Sequence, residues 1–365
     1  MYDIIKDEEI NISKKLWSEL NDKHDKNYIK QLISDTIEDN NLELPYRKIT
    51  LKDAEEDFDK LCKFDATSLF ETGSFQTRYD YKYPFSNKYI NMSNIGNKAS
   101  DYFQQENRFR CDSINAPSPY RTWTTEKFRL TLLNALWTLK FEKINNDVLR
   151  SAISLRKYIA SQFKPSVAKC IYQTYKAETV LDFSSGWGDR LAGFCATDGT
   201  KKYVGVDPNP SVHSGYKKQI ELYNTDKQIE LIESPAEDIS SYNDEFDLIF
   251  TSPPYFDVER YTRDDNQSWR RYKKFNNWLE NFLFETLENS WSHLKVNGHM
   301  IINISDVYCH HTVNEICDPM NDFISSLKGA KHMGTLGMRM AKRPNSKAMK
   351  SGIFAEPVCI WKKAS

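Results

Sequence analysis

An α/β fold, a mainly parallel sheet with helices on both faces behind a helical and loop-rich N-terminal region, follows from three features of the 365-residue chain. From about residue 158 onward, short apolar runs alternate with longer helical patterns, which is how βαβ units read in sequence. One of those runs opens into a glycine turn and another stops at two consecutive prolines, both suited to the carboxyl edge of an open sheet. Ahead of them, residues 72–125 scatter Tyr79, Tyr81, Tyr83, Phe85, Tyr89, Tyr102, Phe103, Phe109, Tyr120 and Trp123 among Asn, Ser, Gly and Pro. That stretch has no clean period, so loop-rich structure is expected there.

Taken in order, residues 1–60 carry short amphipathic helical patterns rich in Asp, Glu and Lys. Phe128, Leu130, Leu132, Leu133, Leu136, Trp137 and Leu139 predict a strongly apolar core helix. Val180-Leu181-Asp182-Phe183-Ser184-Ser185-Gly186-Trp187-Gly188-Asp189-Arg190-Leu191 reads as strand, tight turn and helix. Its two glycines let the backbone approach a ligand, and the free amides at the helix start suit an anionic group. A G-x-G alone is a weak signal: the dinucleotide fingerprint needs a third glycine where Leu191 stands, and Asp182, four residues before the first glycine, also differs from the phosphate-binding pattern. The next strand, Tyr203-Val204-Gly205-Val206-Asp207, ends in an acid followed by Pro208, and an acid at that tip can accept from ribose hydroxyls. Asp182 or Asp207 alone reads better as a strand-end cap or a solvated turn residue; together, at this spacing, they point to an adenosine-type cofactor. A third strand spans 228–233 and closes with Ser234-Pro235-Ala236-Glu237-Asp238, where Asp238 either meets an adenine edge or caps a short helix. Phe275 to Leu294 predicts one helix with Trp278, Leu279, Phe282, Leu283, Leu287 and Trp291 on its buried face. The strand His299–Ile304 follows, with Asn303 and Asp306 at its carboxyl end either lining a pocket or simply ending the strand.

The most informative word is Thr251-Ser252-Pro253-Pro254-Tyr255, directly after the apolar run Phe246–Phe250. Prolines donate no backbone hydrogen bond and fix φ near −65°, and each pushes the preceding residue out of the helical region. The strand therefore stops in a stiff, extended turn. The Ser252 hydroxyl, two carbonyls and an aromatic ring are then held at the sheet's carboxyl edge, a setting for a planar substrate that carries an amino group.

In this order, D-x-x-x-G-x-G, V-D-P, S-P-A-E-D and T-S-P-P-Y, the chain resembles the S-adenosylmethionine-dependent amino-methyltransferases of DNA, which act on adenine N6 or cytosine N4. Phe163-Lys164-Pro165 looks like the additional cofactor motif of that family. The resemblance covers roughly residues 158–310, with Glu356–Trp361 as a terminal strand. It implies a Rossmann-like class I methyltransferase sheet, S-adenosyl-L-methionine as cofactor and DNA as partner. By the same resemblance Phe163, Pro165, Asp182, Ser184, Gly186, Gly188, Asp207, Pro208 and Asp238 contact the cofactor, while Ser252, Pro253, Pro254 and Tyr255 form the catalytic word. Aspartate or asparagine is the commoner first residue of that word; serine is found more with cytosine N4 enzymes. The expected organisation is residues 1–155 for a helical, aromatic region that takes part in substrate recognition, and residues 156–365 for the methyltransferase domain.

An exocyclic base amine is a poor nucleophile, because its lone pair is delocalised into the ring. Acceptors fixed around its N–H bonds favour the pyramidal, positively charged nitrogen of the transition state. Ser252 Oγ and the Pro253 carbonyl are the candidates, with the Tyr255 ring stacking on the base to align it. On duplex DNA the base must first be flipped out.

With a net charge of −1 the chain is no polycation, so any nucleic-acid footprint is local. Two clusters offer one: Arg260, Arg263, Arg270, Arg271, Lys273 and Lys274 among Tyr261, Trp269 and Tyr272, and a tail with Lys328, Lys331, Arg339, Lys342, Arg343, Lys347, Lys350, Lys362 and Lys363. Seven scattered cysteines without a C-x-x-C pair argue against a disulfide framework or structural zinc, and Cys309-His310-His311 lacks a companion pair. No apolar stretch reaches the ~20 residues of a membrane span, and the acidic start lacks a signal-peptide core. A soluble, cytoplasmic enzyme without a metal is expected. The rivals are an RNA base methyltransferase, a protein-glutamine methyltransferase, and a non-catalytic methyltransferase-like subunit that binds nucleic acid.

Overall fold

The computed structural model describes residues 2–156, 159–340 and 352–365, so Lys342, Arg343, Lys347 and Lys350 of the basic tail lie outside the described residues. Two compact units form. One comprises residues 1–48 and 106–161, the other residues 49–105 and 162–365.

In the first unit the helices Lys14–Lys23 and Lys26–Asp39 start at Ser13 and Asp25, whose side chains accept from Leu16 and Tyr28 amides. Ile29, Ile33 and Ile37 recur every four residues and put one buried stripe on the second helix, against Trp123, Leu132, Leu136 and Leu149. Buried Arg129 donates from each of its three nitrogens, to Ser34 Oγ at 2.8 Å, the Trp123 carbonyl at 2.7 Å and Glu38 at 2.5 Å. The expected helix 128–139 is present as two segments, Glu126–Leu133 and Ala135–Thr138, joined at Asn134.

The second unit is built on a ten-stranded sheet: β1 (Phe70–Thr72), β2 (Phe75–Gln76), β3 (Phe85–Ile90), β4 (Thr179–Asp182), β5 (Lys202–Val206), β6 (Gln228–Ile232), β7 (Phe246–Thr251), β8 (Leu294–Asn303), β9 (Ala330–Arg339) and β10 (Ile353–Lys363). The strand order is β1-β3-β9-β10-β8-β7-β4-β5-β6, with β2 paired to β10. β4 to β8 run parallel, and β10 is antiparallel to both β8 and β9. Helices cover both faces of the sheet, the expected α/β architecture with a parallel centre. The middles of the central strands are apolar for that reason: Val180, Leu181, Ile249, Phe250, Met300 and Ile301 are all fully buried. The loop-rich reading of 72–125 misses β2, β3 and the helix Asn97–Arg110, because aromatic residues scattered over short strands leave no period. The region 275–292 is continuous helix with a π-helical turn at Leu279–Phe284, and Leu294 already belongs to β8. No described helix is long and apolar enough to cross a membrane.

Two helices that start at proline position the site. The helix Pro165–Tyr175 opens with proline at its first turn, where the absent N–H costs nothing, and leads into β4. The helix Pro210–Tyr223 starts from Asn209, whose side chain accepts from the Ser211 amide. In parallel register Leu248 pairs with Val180 and Ile249 with Leu181, so β7 lies directly beside β4.

Candidate active site

The carboxyl ends of β4, β5 and β7 converge on one edge. After β4 the backbone enters positive φ at Gly186 (58°) and Gly188 (75°), a region that other residues rarely occupy. The two glycines serve different ends. A side chain on Gly188 would overlap the Gln219 carboxamide, whereas one on Gly186 would meet nothing nearer than the Ser184 carbonyl at 3.8 Å. Gly188 is thus glycine for packing, and Gly186 faces open space.

Asp182 is fully buried and accepts from Arg190 Nε at 2.8 Å, Arg190 Nη2 at 3.1 Å and the Tyr203 hydroxyl at 2.6 Å. Burial opposes the Arg190 charge, but Asp182 beside it holds the guanidinium above its ordinary value. Arg190 also donates to the Ser184 carbonyl, so one ion pair braces the whole turn. Every strong acceptor direction of Asp182 is spent inside the protein. Its place is beneath the loop, as a brace.

Asp207 occupies the other position. It is half-buried, accepting from the Gly186 amide and the Asn209 amide at 2.9 Å each. Burial pushes its carboxyl up to about 6 in spite of those two donors. A carboxylate that remains short of donors at a partly open edge fits ribose hydroxyls. Pro208 follows at the same edge, half-buried. His213 Nε2 lies 2.9 Å from the Asp207 carbonyl, and the Tyr216 hydroxyl donates to the Gly186 carbonyl.

Phe163 packs edge-on to Phe250 at 5.8 Å between ring centroids, and Arg190 lies over its ring at 5.2 Å. It therefore touches both the strand that carries the proline word and the helix after the glycine turn. Pro165 is buried at the start of its helix, close to the backbone of Gly193 through its carbonyl. A second aromatic link joins Trp187 of the glycine turn to Tyr261 at 5.4 Å. Asp238 stands apart from these groups. It is exposed and grips Arg271 with both oxygens, at 2.7 and 3.0 Å, and no side-chain cap forms at its short helix. Arg271 also donates to Glu237 at 2.9 Å, whose carboxyl burial pushes up.

The proline word extends from β7. Ser252 Oγ lies 3.2 Å from Asn303 Oδ1 at the end of β8, and Asn303 Nδ2 donates to the Pro357 carbonyl at 3.0 Å. The Tyr255 hydroxyl donates to Glu356 Oε2 at 3.3 Å, and burial pushes its phenol well up. Phe256 then adopts φ of 53°, a costly conformation for a bulky residue. It is held there by packing on Phe275 and Trp278. Buried Asp257 is clamped by Arg260 at 2.7 and 2.8 Å and by His310 at 2.9 Å, so the Cys309-His310-His311 motif serves the loop through His310. Asp306 accepts from the Ile316 and Cys317 amides at 2.7 and 2.9 Å, which ends the strand and starts the helix Cys317–Ser326.

The arginine cluster after the word is paired as well. Arg260 meets Asp257, Arg270 meets Asp265 and Arg271 meets Asp238. Trp269 lies under two of these guanidinium groups, at 4.8 and 5.7 Å. In the tail, Lys363 donates to the Trp291 and Leu294 carbonyls and Arg339 to Asn91. Arg190, Tyr203 and Glu356 belong to the site without standing out in the sequence, and Arg271, expected in a nucleic-acid footprint, instead holds Asp238 and Glu237. Arg190, eight residues after Asp182 on the following helix, was the one legible signal.

Residues 246–364 match the family model of the N6/N4 type described as DNA methylase, which places this segment, from β7 to the chain's last residues, in the amino-methyltransferase family. The glycine turn and Asp207 precede the matched segment. No curated protein matches the chain. Among solved structures, an rRNA methylase from Streptococcus thermophilus is 13% identical with a TM-score of 0.37, over 56% of this chain and 100% of its own. An S-adenosylmethionine-dependent O-methyltransferase from Thermotoga maritima is 10% identical with a TM-score of 0.37, over 59% and 71%. The N-methyltransferase NodS from Bradyrhizobium japonicum is 11% identical with a TM-score of 0.34, over 52% and 87%.

Proposed function

We propose that this protein transfers a methyl group from S-adenosyl-L-methionine to an exocyclic amino nitrogen of a DNA base, cytosine N4 or adenine N6, presented as a flipped-out base. One observation carries this: the Ser-Pro-Pro-Tyr word and the glycine turn leave adjacent parallel strands, β7 and β4, at the same carboxyl edge. A methyl donor seated on one and an amine held by the other lie within reach of each other.

When bound, S-adenosyl-L-methionine supplies an electrophilic sulfonium methyl. The residues present suit it: open space at Gly186 beside the half-buried, donor-poor Asp207. Asp207 accepts from ribose hydroxyls, while Gly186, Gly188, Ser184 and Pro208 shape the backbone cradle. Phe163 and Pro165 close its side, Asp182 acts through Arg190 to keep the turn folded, and Asp238 requires Arg271 to yield before it can meet an adenine edge. Toward the substrate, Ser252 Oγ and the Pro253 carbonyl accept from the amine, Pro254 keeps the turn rigid and Tyr255 aligns the base. No base strong enough to remove a proton beforehand is needed, since the amine loses its proton after it has gained the methyl group. Recognition belongs to the N-terminal part of the chain, within residues 1–155, and methyl transfer to residues 156–365 together with the strands that join the sheet from residues 70–90.

Nucleosides from DNA and RNA of cells expressing the protein, or its Ser252→Ala variant, decide the matter by mass spectrometry. N4-methylcytosine or N6-methyladenine in DNA, absent with the variant, is expected. A methylated base confined to RNA would transfer the activity to that polymer. Unchanged nucleosides in both would leave a non-catalytic nucleic-acid-binding subunit as the better description.

A further inference from the structure

A serine hydroxyl has one proton and two lone pairs, so it can either donate or accept toward a neighbour. An amino group entering as a nucleophile presents N–H donors. Ser252 helps only if its own proton points elsewhere, and nothing in the serine itself ensures that.

The surroundings do. The Pro357 carbonyl, on β10, can only accept, so the Asn303 carboxamide must turn its nitrogen toward it, at 3.0 Å. Pro357 has no N–H with which to reverse that choice. Asn303 Oδ1 is thereby left facing Ser252 Oγ at 3.2 Å, and a carbonyl oxygen obliges the hydroxyl to donate. Asn303 is 1% exposed and stands next to β10 in register with Val358, so water does not compete and the side chain has little room to turn over. The other hydroxyl of the word, Tyr255, lies against Ser252 as well, but its own proton goes to Glu356, the residue before Pro357, at 3.3 Å, so it offers Ser252 only an oxygen and leaves the serine as the donor there too.

We propose that Asn303 is a positioning residue that holds the Ser252 proton away from the substrate, so that Ser252 Oγ meets the attacking amino group as an acceptor. This rests on the methyltransferase reading given above. An aspartate at position 252 would accept without help; a serine needs an external group to orient it, and Asn303 with the Pro357 carbonyl is that group. No bond is made or broken by Asn303 itself.

The test measures transfer of labelled methyl from S-adenosylmethionine to unmethylated genomic DNA and to total RNA by the full-length chain, with cofactor affinity followed in parallel. Asn303→Leu should lower kcat about tenfold, the scale of one hydrogen bond, with KM and cofactor affinity nearly unchanged. Asn303→Asp still accepts from Ser252 but cannot donate to Pro357, and it should keep kcat within about threefold of wild type. Combined with Ser252→Ala, the Asn303→Leu change should add nothing further, because its effect runs through a hydroxyl no longer present. Equal losses for Asp and Leu, or multiplicative losses in the double variant, would mean that Asn303 merely ties two strands together, and the proposal falls. Should Asn303→Leu not fold, Asn303→Ala takes its place in the same comparison. A Ser252→Ala enzyme as fast as wild type, or a wild-type chain that labels neither polymer, defeats the methyltransferase reading of the site and this proposal along with it.

Discussion

Asp207 offers the sharpest quantitative prediction, because its carboxyl is raised from an ordinary 3.8 to about 6 by burial, with the Gly186 and Asn209 amides pulling the other way. The sign follows directly. In the folded protein Asp207 stays neutral up to about pH 6, whereas in the unfolded chain it ionises near 4. Its contribution to stability is therefore full below pH 4 and lost as pH rises through 6, a loss of about 2–3 kcal/mol after allowance for its partial exposure. Ribose hydroxyls donating to the carboxylate reverse the preference, since they favour the ionised form. At pH 5 only about one molecule in ten carries that form, so cofactor affinity should be about tenfold weaker at pH 5 than at pH 7. Calorimetric titration with S-adenosylhomocysteine across this range measures it. Asp207→Asn should remove the slope, and the ligand's own ionisation cancels in the comparison. His213 lies beside the same carboxylate, so His213→Gln separates its share. A flat affinity from pH 5 to 7, or a slope that survives in Asp207→Asn, refutes the assignment of Asp207 to the cofactor.

Three further outcomes are expected. Arg190→Leu leaves the Asp182 carboxylate buried without its counter-charge and should cost about 3–5 kcal/mol in urea unfolding; a loss below about 1 kcal/mol would show that the pair does not brace the turn. Gly188→Ala and Gly186→Ala both force a side chain into positive φ, at about 1 kcal/mol or more each, but only Gly188→Ala also drives a methyl group into Gln219. Gly188→Ala should accordingly melt earlier, whereas Gly186→Ala should fold and bind cofactor poorly; the opposite ranking in melting and titration would mean the open side of the turn has been misplaced. Tyr255→Phe keeps the ring and loses the hydroxyl's contacts with Glu356 and Ser252, so its transfer rate should fall several-fold at most, while Tyr255→Ala, lacking a stacking surface worth about 1–3 kcal/mol, should fall much further at unchanged cofactor affinity.

What the sequence disclosed and what it withheld divide along the range of the forces involved. Rigid local chemistry is legible: two prolines after an apolar run stop a strand wherever they occur, and glycines before a helix mark a turn at positive φ. The roles of the acids are not, because a carboxylate's direction is decided by partners distant in the chain. Asp182 and Asp207 look alike in sequence, each closing a strand beside the other. One is consumed by Arg190 and by Tyr203 of β5, and the other keeps a half-open face. The arginines after residue 257 read as a basic patch until Asp257, Asp265 and Asp238 are seen to meet them, the last from a short helix about thirty residues earlier. Any attraction for phosphates must then compete with ion pairs already made, and the exchange is cheap only where those pairs are exposed, as Arg270 with Asp265 is, at 40% and 89%. For the same reason the proton on Ser252 was beyond the reach of sequence. Its direction depends on a carboxamide on β8 and a carbonyl on β10, about fifty and a hundred residues away, brought together only by the antiparallel pairing of the last strand.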